Sequence, residues 1–142
     1  MTGVQTCALR SSAELLQIGP NESVLRALEV MATHQIGALV VIDNGNLVGV
    51  ISERDYARKV VLMNRLSRDT PVADIMSSPA ITVSPDDTVR HCMELMTNKR
   101  IRHLPVVKDR QVLGILSIGD LVKAVIEDQS HQIEELQKYI AG

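Results

Sequence analysis

Apolar positions along this chain fall into two spacings that alternate, and each spacing occurs twice. Val24, Ala27, Leu28 and Met31 lie at i, i+3, i+4 and i+7, and Val89, Cys92, Met93 and Met96 repeat the pattern. That spacing lays one apolar stripe along each of two helices. Ser23 and Thr88 stand just before them as N-caps. The continuous apolar run at 38–42 predicts a buried strand. Asp43-Asn44-Gly45-Asn46 then predicts a hairpin turn, and 47–52 the return strand. Residues 103–107, a turn at 108–110 and 111–117 give the same succession. A helix follows each return strand, over 53–62 and 118–126. Short extended pieces at 16–18 and 81–83 end near Pro20 and Pro85, because a residue before proline avoids the helical region.

The two halves are one repeat. Shifted by 65 positions, residues 18–61 fall on 83–126 without a gap. Pro20/Pro85, Val24/Val89, Met31/Met96, Ile36/Ile101, Leu39/Leu104, Val41/Val106, Gly49/Gly114, Ser52/Ser117 and Asp55/Asp120 are identical. A gap-free match of this length indicates two copies of one β-α-β-β-α unit, each small for an independent fold. The chain divides into repeat 1 at 11–63, a linker at 64–80, repeat 2 at 81–127 and a C-terminal helix at 128–142. In the linker, Thr70-Pro71 reads as N-cap and first residue of a short helical turn over 72–76. Ile133, Leu136 and Ile140 give the last helix a narrow apolar stripe, to be covered by its own domain or by a second copy. Residues 1–10 lack periodicity and read as a disordered tail or an artefact.

Composition narrows the function. Of 142 residues, Tyr56 and Tyr139 are the only aromatic ones, so the core is aliphatic. That excludes single-strand nucleic-acid platforms, which stack bases on aromatic rings, and aromatic cages for quaternary ammonium groups. A net charge of −2 leaves no basic footprint for nucleic acid. The longest apolar run, 37–42, is far short of a membrane span. With no secretory leader and two unlinked Cys residues, the expectation is a cytoplasmic protein with Cys92 as a buried thiol.

No catalytic arrangement emerges. His34, His91, His103 and His131 lack metal-ligand spacing, and there is no CxxC. Ser52 and Ser117 sit in no nucleophile elbow, and neither a GxGxxG nor a phosphate-binding GKS/T loop is present. What does recur is Ser-x-x-Asp, as Ser52/Asp55 and Ser117/Asp120. On its own this is a capping-box variant at a helix start. The same helix start also offers backbone N–H groups to an anion.

The stretches Ile81-Thr82-Val83-Ser84-Pro85-Asp86-Asp87-Thr88-Val89, Arg100-Ile101-Arg102-His103-Leu104-Pro105-Val106-Val107 and Leu113-Gly114-Ile115-Leu116-Ser117-Ile118-Gly119-Asp120 resemble the CBS-domain pair, or Bateman module. Gly49-Val50-Ile51-Ser52-Glu53-Arg54-Asp55-Tyr56 adds the first copy, and the resemblance covers residues 16–127. It implies an α/β (α+β) fold in which the two repeats pack as a pseudo-twofold pair. It also implies clefts for adenine nucleotides (AMP, ADP, ATP or NAD(H)), a regulatory rather than enzymatic role, and pairing into a homodimer.

On that reading Asp55 and Asp120, beside Ser52 and Ser117, accept hydrogen bonds from ribose hydroxyls. Arg54, whose counterpart is Gly119, meets phosphate in the first cleft, next to Tyr56. Arg102 and His103 serve the second cleft. Gly37 and Ala38 are their small counterparts and admit an adenine against aliphatic walls. Thr82 matches a ligand-bonding position, for which Gln17 stands in repeat 1, and Pro105 shares the His103 motif. With no effector domain within the repeats, the output acts on a partner protein in trans. The alternative is a structural dimerisation module whose clefts hold no ligand.

Overall fold

The turn chemistry of the two hairpins is the same, although their sequences differ. Asn44 and Gly45 adopt φ of 51° and 80°, and Asp109 and Arg110 adopt 51° and 66°. Both hairpins therefore close through two left-handed residues, the geometry that matches the twist of paired strands. Asn-Gly suits it, whereas Arg110 holds a left-handed conformation that costs a side-chain-bearing residue roughly 1–2 kcal/mol.

The structure is a computed structural model describing residues 16–141. Repeat 1 runs β1 (Gln17–Ile18), α1 (Val24–His34), β2 (Ala38–Asp43), β3 (Asn46–Ser52) and α2 (Glu53–Tyr56), which continues as a wider π-helical turn over Ala57–Val61. Repeat 2 runs α3 (Val89–Lys99), β4 (His103–Lys108), β5 (Gln111–Ser117) and α4 (Ile118–Ala141). Ser23 and Thr88 cap their helices, accepting from Arg26 N and His91 N at 3.1 Å. Both helices end on a left-handed residue, Gln35 and Arg100.

β1 lies parallel to β2, and β2 pairs antiparallel with β3 from Ala38↔Ser52 to Asp43↔Asn46. β4 and β5 repeat this from His103↔Ser117 to Lys108↔Gln111. The bulges fall between Val41/Ile42 and Val106/Val107, equivalent positions 65 residues apart. The second copy of β1 is a single parallel bridge from Val83 to Val106. Each repeat has its own aliphatic core. Met31, Leu39, Val41 and Ile51 centre the first, and Cys92, Met96, Leu104, Leu116 and Leu121 the second.

Three expectations are corrected. Helices 118–126 and 128–142 form one element, α4, because no residue between them breaks the helix. Helix 53–62 keeps α geometry for one turn only before it widens. Thr70 is not a helix cap: its hydroxyl donates back to Leu66 O at 2.7 Å, and its own carbonyl accepts from Val24 N at 2.8 Å. The turn after Pro71 closes over Val72–Asp74 without a side-chain cap. Ile133 is exposed on α4. The side chains of Leu136, Tyr139 and Ile140, and the whole of residues 1–10, lie outside the described residues.

Candidate functional site

In each repeat the start of the helix after the hairpin is tied to the loop before it. Glu53 N donates to Gly37 O at 3.0 Å, and Ile118 N donates to Arg102 O at 2.9 Å. Ser-x-x-Asp then builds the capping box. Asp55 Oδ2 accepts from Ser52 N and Ser52 Oγ, both at 3.0 Å, while Asp55 N donates to Ser52 Oγ at 3.2 Å. Asp120 Oδ2 accepts from Ser117 N at 2.9 Å, and Asp120 N donates to Ser117 Oγ at 3.1 Å. The N–H groups of residues 53, 55, 118 and 120 are thus already bonded within the protein. The positive end that the sequence offers to an anion is largely spent on folding.

One carboxylate oxygen remains at each motif, and the two differ. Asp55 Oδ1 is 3.3 Å from Lys59 Nζ, one helical turn on. That ammonium also donates to Ile75 O at 2.9 Å. A half-exposed i,i+4 pair of this kind contributes about 0.3–0.5 kcal/mol. In repeat 2 the position equivalent to Lys59 is Ala124. Among the described residues, no ion pair is formed by Asp120.

Beside the first motif opens a cleft of about 560 Å³ between the repeats. Gly37, Ser52 and Asp55 line it, with apolar lining from Val50, Pro79, Ala80, Ile81 and Ile101. Arg54, Arg58, Lys59, Arg100 and Arg102 line it along with Glu53, Asp55 and His103. The cleft therefore carries a net charge of +3 with His103 neutral, on a chain whose net charge is −2. The linker enters this lining because Val50 and Ser77 exchange backbone hydrogen bonds of 3.1 and 2.8 Å.

The structure brings together Gly37, Ser52, Arg54, Asp55, Arg102 and His103. Arg102 and His103, expected at the second cleft, line the cleft of the first motif, and His103 also lies close enough to Asp120 of the second motif to feel its charge. The reason is pseudo-twofold packing, which sets the start of β4 across from Gly37: a Cβ added at Gly37 would lie 3.5 Å from the His103 ring. Tyr56 does not line this cleft but packs, half-buried, on the first core. On one helix Asp55 and Lys59 share a face at i,i+4, which turns Tyr56 and the buried Val60 inward. Ala38 and Pro105 are buried strand residues outside the lining. Thr82, Ser117, Gly119 and Asp120 lie outside it too, Thr82 and Gly119 being exposed. Lys59, Arg58 and the linker wall were not singled out in the sequence. The i,i+4 spacing of Asp55 and Lys59 was the available signal for Lys59, whereas the linker contact has none.

Burial pushes the His103 imidazole below its ordinary value near 6.5; Asp120 pulls it up, Arg102 pushes it down and Asp55 pulls it up. Between the lowered value and 6.5 the unfolded chain therefore binds more protons than the folded one. Stability from this group falls as pH drops through 6.5 and levels off below the lowered value. Unfolding by denaturant at pH 7.5 and at pH 5.5 is expected to show this loss, and His103→Gln to reduce it. An equal pH dependence in the variant would locate the effect elsewhere.

The sequence model of the CBS domain matches residues 11–62 and 72–127. The chain is 43% identical over 127 residues to the mitochondrial CBS domain-containing protein CBSX3 of Arabidopsis thaliana, covering 86% of this chain and 62% of that one. It therefore spans less than two thirds of that relative's length. It is 29% identical over 119 residues to the CBS domain-containing protein YhcV of Bacillus subtilis, covering 84% of each. A solved structure of a putative signal-transduction protein with CBS domains from Burkholderia ambifaria superposes with a TM-score of 0.85 at 42% identity, covering 90% of this chain and 96% of that one. The CBS domain pair of protein MJ0100, in complex with methylthioadenosine and S-adenosyl-L-methionine, superposes at 0.79 with 28% identity, covering 90% and 98%. No helix among the described residues is long and apolar enough to cross a membrane.

Proposed function

The chain belongs to the CBS domain family as a tandem pair, and from that premise we propose that it is a regulatory module, not an enzyme, that binds an adenine nucleotide (AMP, ADP, ATP or NAD(H)) in the cleft between its repeats. The observation that carries this reading is a +3 cleft on a −2 chain, lined by aliphatic side chains and by the Asp55 carboxylate. The volume, about 560 Å³, is in the range of small-molecule sites. Val50, Ile81 and Ile101 would hold the adenine, Asp55 the ribose, and Arg54, Arg102 and His103 the phosphates. The adenosine compounds bound by the MJ0100 pair support the base and ribose part of this assignment. Ligand binding would shift the balance between arrangements of the two repeats, and a partner protein would read the change.

Thermal unfolding tests this. A nucleotide at about 100 times its dissociation constant adds about 2.7 kcal/mol, which raises the melting temperature of a chain this size by roughly 5–10 °C. If AMP, ADP, ATP and NADH all leave the melting temperature unmoved, the reading is rejected.

The module also fits a homodimer. Val61, Leu62, Met63 and Leu66 are exposed after α2, and Ile118, Val122 and Ile126 are exposed along one face of α4. Val61 and Ile126 are equivalent positions of the two repeats, and an apolar patch of this kind on each of two copies of the chain can meet its own counterpart across a twofold axis. Sedimentation at tens of micromolar is expected to give a dimer, and a monomer there removes this part of the proposal. A dimer with no response to any nucleotide would instead favour the purely structural module.

A further inference from the structure

Lys59 engages the carboxylate oxygen of the first motif that Ser52 leaves free. Asp55 Oδ2 is committed to Ser52, and Oδ1 is held by the Lys59 ammonium at 3.3 Å. The same ammonium reaches the linker at Ile75 O. It sits within the π-helical turn Ala57–Val61, a local winding that occurs often at functional sites. The second repeat has neither feature: α4 continues as a regular helix, and Ala124 replaces the lysine.

We propose that Lys59 sets the ligand class of the first motif: a ribose must displace it from Asp55, and only a ligand carrying phosphate gives it a new anionic partner. This rests on the nucleotide reading above and deepens it. The lysine is 46% exposed, so it can turn without rebuilding the core. Lys59 and its partner Asp55 line the cleft together with the cations Arg54 and Arg58, where a phosphate would be neutralised. A neutral nucleoside would take Oδ1 and leave the ammonium Ile75 O and solvent but no anionic partner. A nucleotide would exchange one carboxylate contact for a phosphate contact of equal or greater strength. Lys59 therefore acts as a filter against unphosphorylated adenosine compounds.

Titration calorimetry with ATP and with adenosine tests this in an Asp120→Asn background, which weakens the second motif. Lys59→Met is expected to bind adenosine a few-fold more tightly and ATP several-fold more weakly, lowering the ATP-to-adenosine preference about tenfold. Lys59→Arg is expected to keep the preference, and Lys59→Gln, which stays polar, to follow methionine. A preference unchanged in both Met and Gln variants, or equal loss for both ligands, overturns the proposal while leaving the nucleotide reading intact. Absence of binding by either ligand in every variant overturns the nucleotide reading itself, and the filter with it.

Discussion

Asp55→Ala is expected to weaken adenine-nucleotide binding about 10- to 100-fold and to lower stability by about 1 kcal/mol. The two effects have separate atoms as their source. Oδ2 accepts from Ser52 N and Ser52 Oγ, so alanine leaves that N–H without its acceptor and loses half of the capping box. A lost cap of this kind costs about 1 kcal/mol. Oδ1, 3.3 Å from Lys59 Nζ, is the proposed acceptor for ribose hydroxyls in the cleft that Asp55 lines. A hydrogen bond to a charged acceptor is worth about 1.5–3 kcal/mol, which is the basis of the expected loss of affinity. Asp55→Asn separates them. Its amide oxygen can still accept from Ser52 N, so stability stays near that of the parent, while the charge that favours ribose is gone. Calorimetry and chemical unfolding on both variants measure the two quantities. Equal nucleotide affinity in all three proteins would remove Asp55 from the site.

Gly49→Ala is expected to destabilise the fold by about 1–3 kcal/mol and to weaken ligand binding with it. A Cβ at Gly49 would lie 2.8 Å from Met76 Sδ and 2.8 Å from Ser77 O. The thioether can swing away, but the carbonyl is backbone. It is fixed by Val50 N at 3.1 Å, and Ser77 N returns a bond to Val50 O at 2.8 Å. The linker must therefore move off β3. Ser77, Pro79, Ala80 and Ile81 wall the cleft, so that movement also disturbs the site. Gly19→Ala is the control: its added Cβ meets nothing closer than the Glu22 side chain at 3.8 Å. The melting temperature should fall by several degrees for Gly49→Ala and stay within about one degree for Gly19→Ala. Equal melting temperatures in both would contradict the close approach of linker and strand.

The parts of the fold that depend on local chemistry are legible in the sequence. Ser23 and Thr88 cap because a hydroxyl at that position satisfies an otherwise open N–H. Asn44-Gly45 turns because both residues tolerate positive φ. The 65-residue repeat supplies the hairpin at Asp109-Arg110, which its own residues would not have suggested. The parts that depend on contacts between distant segments are not legible. Nothing in Ser77-Ser78 announces that it lies along β3, since the Val50–Ser77 bridge uses backbone atoms and the Ser78 hydroxyl donates to a backbone carbonyl, Val48 O. The placing of Arg102 and His103 opposite Gly37 follows from how the repeats pack, and each repeat's pattern is blind to its partner. Tyr56 was singled out for adjacency to Asp55 in the chain, but helical geometry sends neighbours at i and i+1 to different faces. The Ser-x-x-Asp motifs were legible as capping boxes, and the structure builds both.

Binding of an adenine nucleotide between the two repeats at the first motif is tested by a structure of the protein crystallised with ATP. Ribose hydroxyls are expected within about 3.2 Å of Asp55 Oδ1, the base against Val50, Ile81 and Ile101, and phosphate oxygens on Arg54 or Arg102. A nucleotide bound away from this cleft, or a cleft empty at saturating ATP, would contradict it.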